Sequence, residues 1–355
     1  MTRRRTTLKD VAEAVGVHVS TVSRALNPAT RHFIRAEVAE RIVEVCKALD
    51  YRPNAAAYSL RTNRTRIIGV LIPDITNPVF PPIIRGIEDV LIDRDYMAIL
   101  VNTDGRRQLH ASLIGTLVAR GVDGLIVASL ERDDRTVCDV MEEGIPVVTV
   151  NRRSDDSSIP SVTNDEDNGI RLILELLKGF GHKRVANIAG PLNISTGQNR
   201  FKSFEKYRRE LGFDMAADLV MFADQLNEAE GERLALQAID RLSGITAIVA
   251  SNDRLAVGAI GALRKRGVRC PDDISVTGFN DMPLVDRLEP ALTTVRVQQY
   301  EVGRRAAELV LRLGEGDDDA SPDARSVGIS GAVHEVLPVQ LVTRASAGPY
   351  QVQTN

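Results

Sequence analysis

The sequence contains no tryptophan and few aromatic residues of any kind: eight Phe and six Tyr among 355 positions. Few aromatic faces are therefore available for a site that holds its ligand by ring stacking. Cysteine is also scarce. Cys46, Cys138 and Cys270 are isolated and odd in number, which offers neither a disulfide framework nor the paired spacing of a zinc site. No run of eighteen apolar residues occurs, so no membrane span is expected. The leader MTRRRTTLKD has no apolar stretch of the kind a secretory signal needs, and a cytoplasmic location is expected. Enzyme signatures are missing too. No G-x-G-x-x-G follows Ile72, and there is no Walker A sequence, no H-E-x-x-H and no G-x-S-x-G. Histidine occurs only five times, and Gly179–His182 reads as a turn. The expectation is a non-enzyme without cofactor or metal.

Charge is the first positive signal. The net charge is −3, but it is unevenly spread. Residues 1–66 hold 13 Lys and Arg against 6 Asp and Glu, a surplus of +7, while the remainder holds 32 against 42. A basic head on an acidic body points to a polyanionic partner for the head alone. Within it, Leu8, Val11, Ala12 and Val15 recur at helical spacing. Thr7 and Asp10 are placed for a capping box. Gly16 can supply the left-handed residue that ends a helix. Val17 returns to the core, and a second helix turns Val22, Ala25 and Leu26 inward. This is the pattern of a helix-turn-helix, in which the start of the second helix reaches base edges in the major groove. Here that start is His18, Val19, Ser20, Thr21 and Arg24. An ordinary helical hairpin would give a similar apolar pattern. The basic leader Arg3–Arg5 and the residues after Tyr51 favour DNA.

After Leu26 a loop, NPATRHFIRA, leads to a third helix marked by Val38, Ile42, Val45 and Leu49. Pro53 blocks its continuation. Asn54–Leu60 is too short to be a stable helix alone. It reads either as a basic linker or as a hinge that orders on DNA, with Leu60 as an apolar wedge in a minor-groove step. From Arg66 the texture changes to alternating strands and helices, beginning with the apolar run Ile67–Ile72. The alternation runs through Val150, crosses near Asn164, and repeats through Thr277. A last helix near Val302–Leu313 precedes an acidic loop and an apolar strand pair near 327–342. Such βα alternation implies parallel sheets. The expected fold is an all-α helix-turn-helix head, residues 1–52, a hinge over 53–66, and an α/β core over 67–345 of two doubly wound parallel-sheet lobes. One lobe would comprise about 67–164 and 295–325, the other about 165–294 and 326–345, followed by a tail, 346–355. The tail has no apolar heptad, so no tetramerising coil is expected.

These residues resemble the lactose/galactose repressor (LacI/GalR) family. The resemblance is carried by LKDVAEAVGVHVSTVSRALN, YRPNAAAYSL, RIIGVLIPDITNPVF, VDGLIV, GHKRVANIAGP followed by TGQNRFKSF, SNDRLAVGAIGALRKRGVRCPDDISVTGFND, PALTTVRV and LVTRAS. It covers nearly the whole chain in the family's order. It implies a homodimeric transcriptional regulator, with a core similar to periplasmic sugar-binding proteins. The partners would be double-stranded operator DNA and a small sugar-like effector held between the lobes, with no membrane. The expected DNA-binding set is Thr7, His18, Val19, Ser20, Thr21, Ser23, Arg24 and Asn27 in the head, with Asn54, Ala57 and Leu60 in the hinge. The sequence departs from the family in places. His18 replaces the usual capping Ser or Thr, the loop after Asn27 is about two residues longer, Arg35 stands where a capping hydroxyl is expected, and Tyr58 stands where Arg is frequent.

Ligands of open α/β sheets bind beyond the carboxyl ends of the strands. That rule selects the loops Asp74–Phe80, Asn102–Asp104, Asn151–Arg153, Gly190–Arg200, Ser251–Asp253 and Phe279–Asp281. They are rich in amide, carboxylate and guanidinium groups suited to paired hydroxyls or carboxylates. The resemblance implies that Phe80 stacks on the ligand, with Arg152, Thr196, Arg200, Asn252 and Asn280 as polar contacts. Asp104, Asn151 and Asp281 complete the expected set. Ile194 stands where purine-responsive members carry Arg, which argues against a purine carboxylate. Any one of these residues could instead be a loop cap or a solvated charge. A solute-binding protein of the same fold would need a signal peptide and no basic head. An α/β enzyme would need a nucleophile or cofactor loop, and none is found.

Overall fold

Three helices pack their apolar stripes against one another in the head: α1 (Leu8–Val15), α2 (Val19–Leu26) and α4 (Ala36–Ala48). The computed structural model describes residues 6–51, 64–315 and 332–350, in two units divided between Thr65 and Arg66. The head core is Val11, Ala12, Val22, Ala25, Ala39, Ile42 and Cys46. The capping box is present: the Asp10 amide donates to Thr7 Oγ1, and the Thr7 amide donates to Asp10 Oδ2 at 2.7 Å. Gly16 closes α1 at φ +75°, a conformation that costs glycine no steric penalty. His18 caps α2 through Nδ1, which accepts from the Ser20 amide at 3.2 Å. An imidazole thus does the work of the hydroxyl usual in the family. The expected loop after Asn27 holds a single helical turn, α3 (Pro28–Arg31). Arg35 makes no side-chain cap on α4. The expectations for Arg3–Arg5, Asn54, Ala57, Tyr58, Leu60 and the acidic loop lie outside the described residues.

In the larger unit, Ile67–Ile72 (β1), Met97–Asn102 (β2), Gly124–Val127 (β3), Val147–Val150 (β4) and Ser161–Asn164 (β5) form the first sheet with His334–Leu337, in the order 334–337, β5, β4, β3, β1, β2. All the pairings are parallel. Residues alternate between faces along β1. Ile68, Val70 and Ile72 meet α5 (Phe80–Asp93), while Leu71 meets α6 (Arg107–Ala119). The long helix Gln299–Glu315 lies beside α5 on the first of these faces. A Cβ on Gly303 would sit 1.9 Å from the Ile83 carbonyl oxygen, so only glycine permits this approach.

A short helix, α7 (Thr136–Glu142), bridges β3 and β4. The second lobe starts with α8 (Glu166–Gly179) and repeats the alternation through β6 (Val185–Ala189), α9 (Ser195–Glu210), β7 (Val220–Phe222), α10 (Glu228–Arg241), β8 (Ala247–Ala250), α11 (Asp253–Lys265) and β9 (Ser275–Thr277). Its four parallel strands run in the order β7, β6, β8, β9. The sheet separates a core against α10 and α11 from one against α8 and α9.

The chain's return differs from the expected strand pair. β10 (Thr294–Arg296) precedes α12 (Gln299–Glu315), and the described chain resumes before β11 (His334–Leu337) and β12 (Gln340–Val342). β11 and β12 do not pair with each other. β11 adds to the first lobe's sheet beside β5, and β12 pairs antiparallel with β10. The crossing expected near Arg325 therefore falls after Leu337, and 334–337 belongs with the first lobe. Edge strands carry the same short apolar texture whichever sheet receives them, so periodicity could not assign this one.

Candidate functional site

In the head, the first turn of α2 presents His18, Val19 and Ser20 to solvent, with Arg24 one turn on, while Val22 and Ala25 are buried. Thr21, Ser23 and Asn27 are half-buried at the margins of this face. Thr7 is exposed at the start of α1, holding its cap. The exposed face therefore carries hydroxyl, imidazole and guanidinium groups at the helix start, where backbone amides also point outward.

In the larger unit, a cavity of about 420 Å³ lies between the lobes at the carboxyl ends of the strands. The first lobe contributes Asp74, Asp104, Arg106, Arg107, His110, Ser129, Glu131, Asp134 and Arg152 to its wall, and the second contributes Asn193, Ile194, Asp224, Asn227 and Arg254. Several bonds tie the lobes together across it. Arg254 donates to Asp74 at 2.9 Å and holds Glu228 on its own side at 2.8 Å. Asn193 donates to Glu131 at 3.0 Å, and the Arg132 backbone amide to the Asn193 carbonyl at 2.9 Å. Arg132 reaches the Leu192 carbonyl, and the Arg153 amide reaches Ser195 Oγ. Burial alone would raise the Asp74 carboxyl, but hydrogen bonds from Thr76 and Arg254 outweigh it and hold Asp74 below its ordinary value.

Two of the nine expected effector residues, Asp104 and Arg152, line this cavity. Asp104, at φ +52°, accepts from Asn102 and from Arg106 at 3.0 Å. Burial draws the Arg152 guanidinium down to about 10, and its Nε is buried without a hydrogen-bond partner. Asn151 is half-buried beside it at φ +62° and is not on the wall.

The other residues lie off this wall. Phe80 opens α5 with Pro81 and Pro82 and is 2% exposed in the first lobe's core, so it presents no face to the cavity. Thr196 is buried in the first turn of α9. Arg200 is buried one turn on, where Nε donates to Glu166 at 2.9 Å and Nη1 to the Ser251 carbonyl at 2.7 Å. Its guanidinium stacks 3.9 Å from the centre of the Phe279 ring, and Nη2 reaches Asn280 at 3.4 Å. Asn252 is the N-cap of α11, accepting from the Leu255 amide at 2.8 Å. Asp281 pairs with Arg296 and Arg344, both at 2.7 Å.

The residues missed on the wall have a common cause. Arg254 and His110 lie inside helices, and Ser129, Glu131 and Asp134 follow β3 in a stretch with no recognisable spacing. The strand-end rule could have found this last group, since β3 ends at Val127. His110 is 2% exposed, with Nδ1 2.9 Å from Ser129 Oγ. Burial lowers its pKa, Asp134 opposes that, and Arg152 adds to it.

Two family models match. Residues 7–54 fit the bacterial regulatory proteins of the lacI family. Residues 65–326 fit the periplasmic binding proteins and sugar binding domain of the LacI family. The chain belongs to the LacI family. Among curated relatives, the HTH-type transcriptional regulator RegA of Clostridium saccharobutylicum is 33% identical, covering 87% of this chain and 92% of RegA. A ribose operon repressor of Halalkalibacterium halodurans is also 33% identical, over 86% and 90%. A structure of the lac repressor dimer bound to operator and the anti-inducer ONPF superposes with a TM-score of 0.84 at 26% identity, covering 97% of this chain and all of that one. As a member of the LacI family the protein is a DNA-binding transcriptional regulator and not an enzyme. Its fold is the helix-turn-helix head with the periplasmic-binding-protein-like core. No helix among the described residues is long and apolar enough to cross a membrane.

Proposed function

We propose that this LacI-family protein is a cytoplasmic homodimeric repressor whose operator affinity is set by a small, polar, sugar-like metabolite held between the lobes. The observation that carries this reading is the interlobe cavity, with charged and amide groups from both lobes converging on it. A ligand touching both sets favours one lobe arrangement, and only such differential binding can shift the DNA-competent population. One head makes too few contacts for specific recognition, so two must be tied together on a pair of half-sites. Val19, Ser20 and Arg24 would read base edges. Thr7, His18, Thr21, Ser23 and Asn27 would position the head on the backbone, and Asn54, Ala57 and Leu60 would engage the minor groove. Asp104 and Arg152 are the leading effector contacts. Asn151, Thr196, Arg200, Asn280 and Asp281 would act behind them, as would Phe80 and Asn252 through packing and capping.

The test is an operator titration of the full-length protein with and without ligands found by thermal shift, since binding raises apparent stability. The expected result is one ligand that both raises the melting temperature and changes operator affinity, by a coupling of about 1–3 kcal/mol. A ligand that stabilises the protein while operator affinity stays constant would remove the switch.

A further inference from the structure

Four arginines reach the cavity wall: Arg106, Arg107, Arg152 and Arg254. Three of them already have carboxylate partners. Arg106 pairs with Asp104 at 3.0 Å, Arg107 with Asp133 at 3.4 Å and Glu131 at 3.8 Å, and Arg254 with Asp74 and Glu228. Arg152 differs. Among the described residues its side chain makes no ion pair or hydrogen bond, and its Nε is shielded from solvent with no partner. Glu131 is the carboxylate that acts on it electrostatically. Both Glu131 oxygens are already directed elsewhere, Oε1 to Asn193 and Oε2 to Arg107.

A second unsatisfied atom belongs to another residue of the same wall. Nε2 of the buried His110 lies 3.3 Å from Asp134 without the alignment of a hydrogen bond. Asp134 itself accepts from the Thr136 amide. Two nitrogen atoms of wall residues, Arg152 Nε and His110 Nε2, thus lack hydrogen-bond partners.

A half-buried guanidinium whose Nε is shut off from water, with no hydrogen-bonded counter-charge, is unfavourable. A neutral hydroxyl can accept one hydrogen bond from it but returns no charge. An oxyanion returns the charge and matches the planar fork with two parallel bonds. The neighbouring paired side chains Asp74, Asp104, Asn193 and Asn227 suit hydroxyl groups. We propose that the ligand of this cavity carries an oxyanion, a carboxylate or a phosphate on a polyhydroxylated carbon skeleton, and that Arg152 is its counter-charge. This rests on the interlobe cavity being the effector site.

The first experiment needs no ligand. The melting temperature of the unliganded full-length protein is compared with that of Arg152→Met. The expected result is an upward shift, because the variant fills the space without an uncompensated charge. A downward shift would mean that Arg152 is compensated in the free protein, and would overturn the proposal. The second experiment is calorimetric titration with three matched sets: D-glucose, D-galactose and D-ribose; D-glucuronate, D-galacturonate and D-ribonate; and glucose 6-phosphate, galactose 6-phosphate and ribose 5-phosphate. Inorganic phosphate alone is the control. An anionic member should bind at least about tenfold more tightly than its neutral parent, with affinity that falls as salt rises. Arg152→Gln should remove that margin. Success of the carboxylate set identifies a sugar acid, and success of the phosphate set a sugar phosphate. A neutral sugar that binds as well as its acid and its phosphate, and that Asp104→Ala weakens, overturns the anion while leaving the cavity as the effector site. A ligand whose binding neither Asp104→Ala nor Arg152→Gln affects places the site elsewhere and removes both readings.

Discussion

Arg200, one helical turn into α9, and Glu166, at the start of α8, form a buried ion pair, each side chain under a tenth exposed. Burial pushes the Glu166 carboxyl up and the Arg200 guanidinium down, so desolvation outweighs their mutual attraction on both sides. Such a pair contributes little net stability while intact, but losing one partner leaves a buried charge uncompensated. Glu166→Ala is therefore expected to cost about 3–5 kcal/mol, read as a lower urea midpoint of the core. An unchanged midpoint would show Arg200 already compensated by other groups. Asp253 gives a pH signature. Burial raises its carboxyl to about 6, against hydrogen bonds from Thr294 and the Met282 amide. An acid whose folded value lies above its unfolded value binds more protons when folded. Its contribution to stability is thus lost as pH rises from about 4 to about 6, by at most roughly 2–3 kcal/mol. Asp253→Asn should flatten that part of the stability profile relative to the wild type. Parallel profiles for the two proteins would refute the assignment. His110 acts in the opposite sense. Held neutral by burial, it supports the fold above its unfolded value near 6.5 and loses that support as pH falls.

The elements extend the same reasoning. In α2 the buried residues Val22 and Ala25 fix the helix by one face and so determine what the other face offers. Arg24 stands on that outer face. Arg24→Ala is expected to cost about 1–3 kcal/mol at the operator and to relax discrimination at one base pair. Equal weakening on operator and random duplexes would assign Arg24 to the phosphate backbone instead. In the core, α5 and α12 approach through Gly86 and Gly303, where an added Cβ would meet backbone oxygens. A backbone oxygen cannot swing aside as a side chain can. Gly303→Ala should therefore separate the helices and destabilise the first lobe by about 1–3 kcal/mol, seen as a fall in melting temperature. No change would mean that the helix pair can slide without cost.

Across the whole core, the lobes are held together by polar bonds over the cavity, with Arg254 and Asp74 the ion pair among them. Arg254→Gln keeps a hydrogen-bonding head but removes the charge. It should let the lobes separate, enlarging the core's radius of gyration in solution scattering. It should also weaken a ligand gripped from both sides by up to several-fold, because a partly exposed pair contributes about 1 kcal/mol or less. Scattering curves that superpose for the two proteins would show that the remaining bridges suffice.

Much of this was legible in the linear chain. Helical spacing of Leu8, Val11, Ala12 and Val15, with the cap at Thr7 and the stop at Gly16, determined the first helix through local geometry alone. The βα alternation likewise determined the parallel lobes, since strand and helix periods differ along the chain. The strand-end rule selected six loops, four of which supply residues to the cavity wall. What it could not settle was which side chains face the cavity and which face each other. Glu166 is 34 residues from Arg200, and Asp74 is 180 from Arg254. No local period encodes such pairings; they exist only once two sheets stand opposite each other. Phe80 shows the same limit from the other side. The family resemblance implies that Phe80 stacks on the ligand, yet the first turn of α5 carries it into the core. The last strands complete the point. His334–Leu337 and Gln340–Val342 are alike in length and texture, and only the open edge beside Ser161–Asn164 and the antiparallel partner at Thr294–Arg296 decided where each would go.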